Sequence, residues 1–223
     1  MNAIHFCRTH SAWREKESIA ESEQQFSSSE TKRYLTLSNP RQTEFAISRL
    51  LLRAALSHRA DFDLSSWPLE ERLNNTPLVQ NANWGGAISI THSKNYLACA
   101  ISDEAVGIDI EEPREITQLT KMAARVFTLE QQDEVLTADD SNSQFLQLWT
   151  AKEALFKAHS SAGTPIQFMS STPLAELGFH TTNLLNKRLF GSLASKHPFD
   201  QFAVYFWRSP HQVRQIFIRP SAL

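Results

Sequence analysis

The sequence predicts an α+β fold, and three observations carry that prediction. Alternating apolar segments between residues 87 and 111 are separated by turns too short for a crossover. Such turns join antiparallel neighbours, because a parallel pair needs a connection of a dozen or more residues. Two stretches, about 41–59 and about 144–159, are free of internal proline and glycine and carry apolar residues at helical spacing. The second half then repeats the coarse order of the first, helices followed by antiparallel strands. Apolar residues make up 41% of the chain and charged ones 21%, the balance of an ordinary globule. The net charge of −2 sets up no field that would recruit nucleic acid or an anionic membrane surface.

Taken in order, residues 3–9 alternate and predict a strand. Residues 15–38 are polar, with Ser27-Ser28-Ser29-Glu30 as a cap before a short helix over 30–37. Ser38-Asn39-Pro40 starts a longer helix over about 41–59. Phe45, Ala46, Leu50 and Ala54 form its buried side, flanked by Leu51 and Ala55. Arg49 and Arg53 are four residues apart on it and reach the same place. Two converging guanidiniums suit phosphate, with a solvated basic face as the plainer alternative. Residues 61–86 are punctuated by Pro68, Pro77, Asn74-Asn75, Asn81, Asn83 and Gly85-Gly86, and predict a loop.

Residues 87–91 and 96–102 then predict strands joined by a turn at 92–95, and a further turn leads to a strand over 107–111. Together they predict a three-strand antiparallel meander. After Pro113 two short helices are expected, over 117–126 and 129–136, with Thr128 capping the second and Glu130 in its first turn, where the helix dipole favours a negative charge. Residues 137–143 predict a polar loop. Beyond Ser160, strands are expected over 188–195, 201–207 and 213–219. Cys7 and Cys99 form no C-x-x-C pair, and Cys99 lies in an apolar run, so a buried free thiol and a reducing compartment are expected. No apolar leader opens the chain and no run approaches eighteen apolar residues, which predicts a cytoplasmic protein without a membrane span.

Two segments carry the chemistry. In Gly107-Ile108-Asp109-Ile110-Glu111-Glu112, alternation turns Ile108 and Ile110 to one face and Asp109 and Glu111 to the other. The carboxylates then stand roughly 7 Å apart along the strand. In Trp149-Thr150-Ala151-Lys152-Glu153-Ala154-Leu155-Phe156-Lys157-Ala158, Glu153 shares a helical stripe with bulky apolar residues and neighbours Lys157 four residues on. Taken singly, the first reads as an acidic strand face and the second as a surface ion pair.

Together and in this order, G-I-D-I-E and W-T-A-K-E-A-L-F-K-A resemble the signature of the 4′-phosphopantetheinyl transferase superfamily, in its longer Sfp type. The resemblance implies a pseudo-twofold duplication of two similar α+β subdomains, each an antiparallel meander packed by helices. These would span residues 1–105, with contacts to the phosphates of coenzyme A, and 106–223, with the metal site and the motif helix. It implies a monomer. It further implies transfer of the 4′-phosphopantetheine arm of coenzyme A to a serine of an apo acyl or peptidyl carrier protein domain, with release of adenosine 3′,5′-bisphosphate. Asp109, Glu111 and Glu153 would hold Mg²⁺, or Mn²⁺. Glu153, Lys157 and Asp109 would be catalytic, with Lys157 on a phosphate oxygen and Glu153 as metal ligand, proton acceptor or both. Arg41, Arg49, Arg53, Thr91 and His92 would contact coenzyme A, although His92 alone, at a strand end, reads as an exposed or structural histidine. Trp149 would pack the helix against the meander. Asn75-Thr76-Pro77 stands where many relatives carry Gly-Lys-Pro, so that lysine contact is not carried over. Because carrier domains are often acidic, a basic or apolar patch near the loop 113–125, with Arg114, Lys121 and Arg125, would be a surface for the carrier.

Magnitudes support a cation. If three carboxylates converge to within ~5 Å at an effective dielectric near 20, each ionised pair repels by about 3 kcal/mol. Three such pairs approach the ~5–15 kcal/mol that holds a domain together. Hard oxygen ligands without imidazole or thiolate suit Mg²⁺ or Mn²⁺ better than zinc, and Mg²⁺ prefers to share its shell with a substrate phosphate. Two rival readings use the same residues: a metal-dependent phosphohydrolase, and a non-catalytic module that binds coenzyme A or a carrier.

Overall fold

The computed structural model describes residues 2–9, 11–72, 75–161, 179–184 and 189–216. Among these the chain forms two compact units, one of residues 2–103 with 202–216 and the other of residues 104–201. The fold is α+β. No helix among the described residues is long and apolar enough to cross a membrane.

The first unit is built on a five-stranded sheet. Its strands are β1 (Asn2–Arg8), β4 (Ala87–Ser93), β5 (Tyr96–Ser102), β9 (Phe202–Ser209) and β10 (Gln212–Ile216), in the order β10-β9-β1-β5-β4. β1 runs antiparallel to β5 and parallel to β9. Helix α3 (Asn39–Ala60) lies on this sheet, and Ile47, Leu50, Leu51 and Ala54 form one core with Cys7, Leu97, Cys99, Ile101 and Trp207. Both cysteines are buried free thiols, and burial pushes the Cys99 thiol up. The expected buried side of α3 is buried, and so are the residues between, including Arg49 and Arg53.

Two expectations for this unit need correction. The polar segment 15–38 contains a helix, α1 (Lys16–Gln24), as well as α2 (Ser28–Tyr34). Polar composition hid α1 because it docks partly through serine, with Ser22 Oγ donating to the Ala46 carbonyl of α3 at 2.8 Å. Residues 61–86 are not all loop: β2 (Leu69–Arg72) and β3 (Asn75–Val79) pair antiparallel. Among the described residues this sheet has two strands, so each is an edge, and an edge tolerates Pro77. The cap before α2 is as expected: Ser27 accepts from Glu30 N–H and Glu30 accepts from Ser27 N–H.

The second unit holds the sheet β6-β8-β7, antiparallel throughout, from β6 (Val106–Glu111), β7 (His180–Asn183) and β8 (Phe190–Ser195). The predicted three-strand meander is therefore corrected. β5 takes β1 as its second neighbour and β6 pairs with β8 instead. Helix α6 (Ser141–Ser161) crosses the motif strand closely at Gly107. Helices α4 (Leu119–Val126) and α5 (Leu129–Thr137) pack with α6 through Val126, Phe127, Val135, Phe145 and Leu146. Thr128 caps α5, but the reciprocal side chain is that of Gln131, and Glu130 is exposed. The polar loop expected over 137–143 ends early, because α6 already starts at Ser141. The strand expected over 188–195 is described from 190 as β8; that expected over 213–219 falls in part, at 217–219, outside the described residues.

A buried histidine in the first unit has a measurable consequence. Trp207 Nε1 donates to His5 Nδ1 at 2.9 Å, so the ring proton of His5 is on Nε2, which finds no hydrogen-bond partner among the described residues. Burial, with a smaller contribution from His58, pushes the imidazole down to about 3. The unfolded chain takes up the proton near pH 6.5 and the folded one does not, so stability falls as pH drops from about 6.5 toward 3. His5 alone then removes about 2 kcal/mol between pH 7 and pH 5. Urea unfolding at both pH values checks this: His5→Gln is expected to flatten the dependence by that amount, and parallel curves would disprove the assignment.

Candidate functional site

The second unit brings the two motifs into contact. Asp109 and Glu111 share one face of β6 with Gly107, and the residues opposite them in the ladder are Ser192, Phe190 and Ala194. This face is covered by α6. A Cβ on Gly107 would lie 1.8 Å from the Ala154 carbonyl oxygen, so helix and strand backbones all but touch there. Ala154, Leu155, Ala158 and Ala194 fill the same layer. Ile108 and Ile110 are buried on the other face, so the motif strand is buried on both sides and Asp109 is only 7% exposed.

Lys157 reaches down from α6 to this strand. Its Nζ lies 2.7 Å from Asp109 Oδ1 and donates to the Ile108 carbonyl at 3.2 Å. Glu153, one turn earlier, is half-buried. Burial pushes its carboxyl up; Lys157 pulls it down, and Asp109 and Glu111 push it up further. Glu153 therefore feels both strand carboxylates, with one ammonium among them. Glu111 also pairs with Arg114 at 3.5 Å. Trp149 stacks on Phe145 and packs with the cluster that includes Phe190 of β8.

The donors at this site are three hard oxygen groups without imidazole or thiolate, a set whose chemistry fits Mg²⁺ or Mn²⁺. Among the described residues no three acidic, imidazole or thiol groups stand in a metal-holding arrangement. The fit accordingly rests on the mutual field of Asp109, Glu111 and Glu153.

In the first unit, Arg41 at the start of α3 meets His92 at the end of β4, Nη1 to Nε2 at 3.3 Å. Arginine only donates, so His92 Nε2 accepts in this geometry. Arg41 also pairs with Glu44 at 2.9 Å. Both Arg41 and His92 are exposed, and Thr91 is buried. Arg49 and Arg53 differ from the expectation of two guanidiniums presented to phosphate. Arg49 forks onto Glu71 at 2.7 and 2.8 Å, and Arg53 onto Glu30 at 2.9 and 2.6 Å. Spacing on one helix showed that the arginines converge; it could not show that α2 and β2 carry carboxylates to meet them. Thr76 lies in β3, where its carbonyl accepts from Arg72 Nε at 2.8 Å. Arg114, Lys121 and Arg125 are exposed.

Sequence reasoning missed the hydroxyl layer beside Asp109, where Thr150 of α6 meets Ser192 of β8. The run Gly191-Ser192-Leu193-Ala194-Ser195 held a signal for it, since small residues at alternate strand positions admit a close helix.

An α+β unit that sets a D-x-E strand beneath a K-E-x-x-x-K helix defines an acidic site steadied by one ammonium. A sequence model of the 4′-phosphopantetheinyl transferase superfamily matches residues 105–211, the region that carries this site. The match covers just under half of the chain and marks a similarity of these residues to that superfamily. The chain is 40% identical over 73 residues to the 4′-phosphopantetheinyl transferase gsp of Aneurinibacillus migulanus, covering 31% of this chain and 30% of the relative. It is 26% identical over 110 residues to the 4′-phosphopantetheinyl transferase Sfp of Bacillus subtilis (strain 168), covering 48% of each. It is 27% identical over 119 residues to the 4′-phosphopantetheinyl transferase HetI of a Nostoc species, covering 51% of this chain and 50% of the relative. The chain thus spans a third to a half of the length of the curated relatives it matches.

Proposed function

We propose that this protein transfers the 4′-phosphopantetheine arm of coenzyme A to a serine of an apo carrier protein domain. The observation that carries the reading is the meeting of Asp109, Glu153 and Lys157 across the β6–α6 contact, within the region that matches the superfamily. The serine oxygen bonds to the phosphorus joined to pantetheine, and the bond from that phosphorus to the departing adenosine 3′,5′-bisphosphate breaks. Asp109, Glu111 and Glu153 would hold Mg²⁺, whose contribution when bound is to neutralise pyrophosphate charge. Lys157 turns from Asp109 toward a phosphate oxygen and steadies the charge on the leaving side. Glu153, raised by burial and by its acidic neighbours, accepts the serine proton directly or through a water. Arg41 and His92, with Thr91 behind them, contact coenzyme A phosphate. Arg49 and Arg53 are already paired with carboxylates and instead hold α3 against α2 and β2.

The same reading makes the protein a cytoplasmic monomer with a pseudo-twofold duplication. In this reading residues 1–105 would contact the phosphates of coenzyme A and residues 106–223 would carry the metal site and the motif helix, while residues 202–216 pack with the first unit. Arg114, Lys121 and Arg125 are its surface for the carrier.

Mass spectrometry of an apo carrier domain incubated with the protein, coenzyme A and Mg²⁺ tests the proposal. The expected result is a gain of one phosphopantetheine arm, lost with EDTA and reduced by Asp109→Ala to below about one hundredth of wild type. Charge reversal at Arg114 and Lys121 is expected to raise KM for the carrier and leave that for coenzyme A alone. Phosphate release without any carrier would point to a phosphohydrolase. Coenzyme A binding without transfer to several carriers would point to a binding module.

A further inference from the structure

Beside Leu155, the contact between α6 and the second sheet includes four residues with little to interlock: Gly107, Ala154, Ala158 and Ala194. Small side chains let the backbones approach but offer few ridges to stop the helix sliding along its axis. A polar contact lies at the level of Asp109. Ser192, directly opposite Asp109 in the β6–β8 ladder, meets Thr150 of α6, Oγ to Oγ1, at 2.9 Å. Both residues have no solvent exposure. The Thr150 hydroxyl donates to the Gln147 carbonyl at 3.0 Å, so the proton between the two hydroxyls comes from Ser192. The result is a directed chain from β8 through Thr150 into the helix backbone.

This chain holds at one axial position. An α-helix rises about 1.5 Å per residue, so sliding by two residues, about 3 Å, stretches a 2.9 Å contact across the axis to about 4 Å, beyond hydrogen-bond reach. The same slip would carry Lys157 off Asp109. Thr150 precedes Glu153 by three residues and Lys157 by seven, which places all three along one side of α6. We infer that Thr150 and Ser192 are positioning residues that set the axial register of α6 over β6 and so hold Glu153 and Lys157 against Asp109. The inference rests on the transferase reading for its kinetic consequences, but its geometry does not depend on that reading.

The test compares the wild type with Thr150→Val, Ser192→Ala, the double variant and Thr150→Ser. Mn²⁺ affinity is read by electron paramagnetic resonance, and kcat and KM by transfer to a carrier, at a temperature well below every Tm. Removing either hydroxyl is expected to weaken Mn²⁺ about 10-fold and lower kcat by a similar factor, with KM for coenzyme A within about twofold. The double variant should be no worse than either single one, because both break the same chain. Thr150→Ser, which keeps the hydroxyl, should recover both values. Lower Tm with unchanged Mn²⁺ affinity and kcat would reduce the pair to a packing contact and overturn the inference, as would effects that multiply in the double variant. Should Ser192→Ala not fold, Ser192→Cys keeps the volume, weakens the hydrogen bond and is judged by the same criteria. If the wild type binds Mn²⁺ and the variants lose it, yet no carrier is modified, the transferase reading falls and the positioning role stands. A wild type that binds no Mn²⁺ overturns the positioning role itself.

Discussion

Glu30→Gln, which keeps the side chain's shape and removes its charge, is expected to destabilise the first unit by about 3–5 kcal/mol. Glu30 has no solvent exposure and Arg53 has 1%. Their forked contact takes both carboxylate oxygens, and the second oxygen also accepts from Ser27 N–H at the start of α2. Arg53 donates besides to the Gln25 carbonyl at 2.9 Å. Neutralising Glu30 leaves the Arg53 guanidinium in the interior without a counter-charge. It also weakens the field around Arg49, whose guanidinium burial pushes down while Glu71 and Glu30 restore it. Urea unfolding of the variant measures the loss. A loss under about 1 kcal/mol, the value of an exposed pair, would show that water reaches the site. The double replacement Glu30→Met with Arg53→Met should recover much of the stability, because breaking a buried pair costs more than replacing it with apolar groups.

Gly107→Ala is expected to cost about 3 kcal/mol, the upper part of the range for an overpacked interior. The added Cβ would meet the Ala154 carbonyl oxygen at 1.8 Å and the Ala158 nitrogen at 2.5 Å. Both are backbone atoms of α6, so no side chain can swing aside and the whole helix must retreat. Gly107 is required by space and not by its own dihedral angles, so D-alanine would relieve nothing through backbone conformation. A retreat of about 1 Å moves Glu153 and Lys157 away from Asp109 and is expected to lower transfer about 100-fold in protein that remains folded. Unfolding and carrier modification measured on one sample separate the two effects. A Gly107→Ala protein as stable and active as wild type would mean that α6 does not press on β6 as described.

The motifs were legible because their chemistry is local. Asp109 and Glu111 alternate on a strand, and Glu153 and Lys157 are one helical turn apart; both relations follow from backbone period alone. The long helix α3 was legible for the same reason, since a run of twenty-two residues repeats its period several times. α1 and the β2–β3 pair were not. A mostly polar helix of nine residues and strands of four and five residues carry too few repeats for a period to emerge. Arg49 and Arg53 show the limit from another side. Their spacing told that two cations share a place, but partner choice depended on Glu30 and Glu71, 23 and 22 residues away in the chain.

By itself the sequence determined the α+β class, the caps of α2 and α5, the pairing of β4 with β5, and the groups available for chemistry. Each of these rests on neighbours within about one turn of helix or one hairpin. Tertiary structure alone decided which strand β6 would pair with, that β9 would lie parallel beside β1, that Gly107 would touch a helix backbone, and that Ser192 would stand opposite Asp109. These are contacts between segments far apart in the chain. They are selected by how well whole faces pack together, a property no single segment contains.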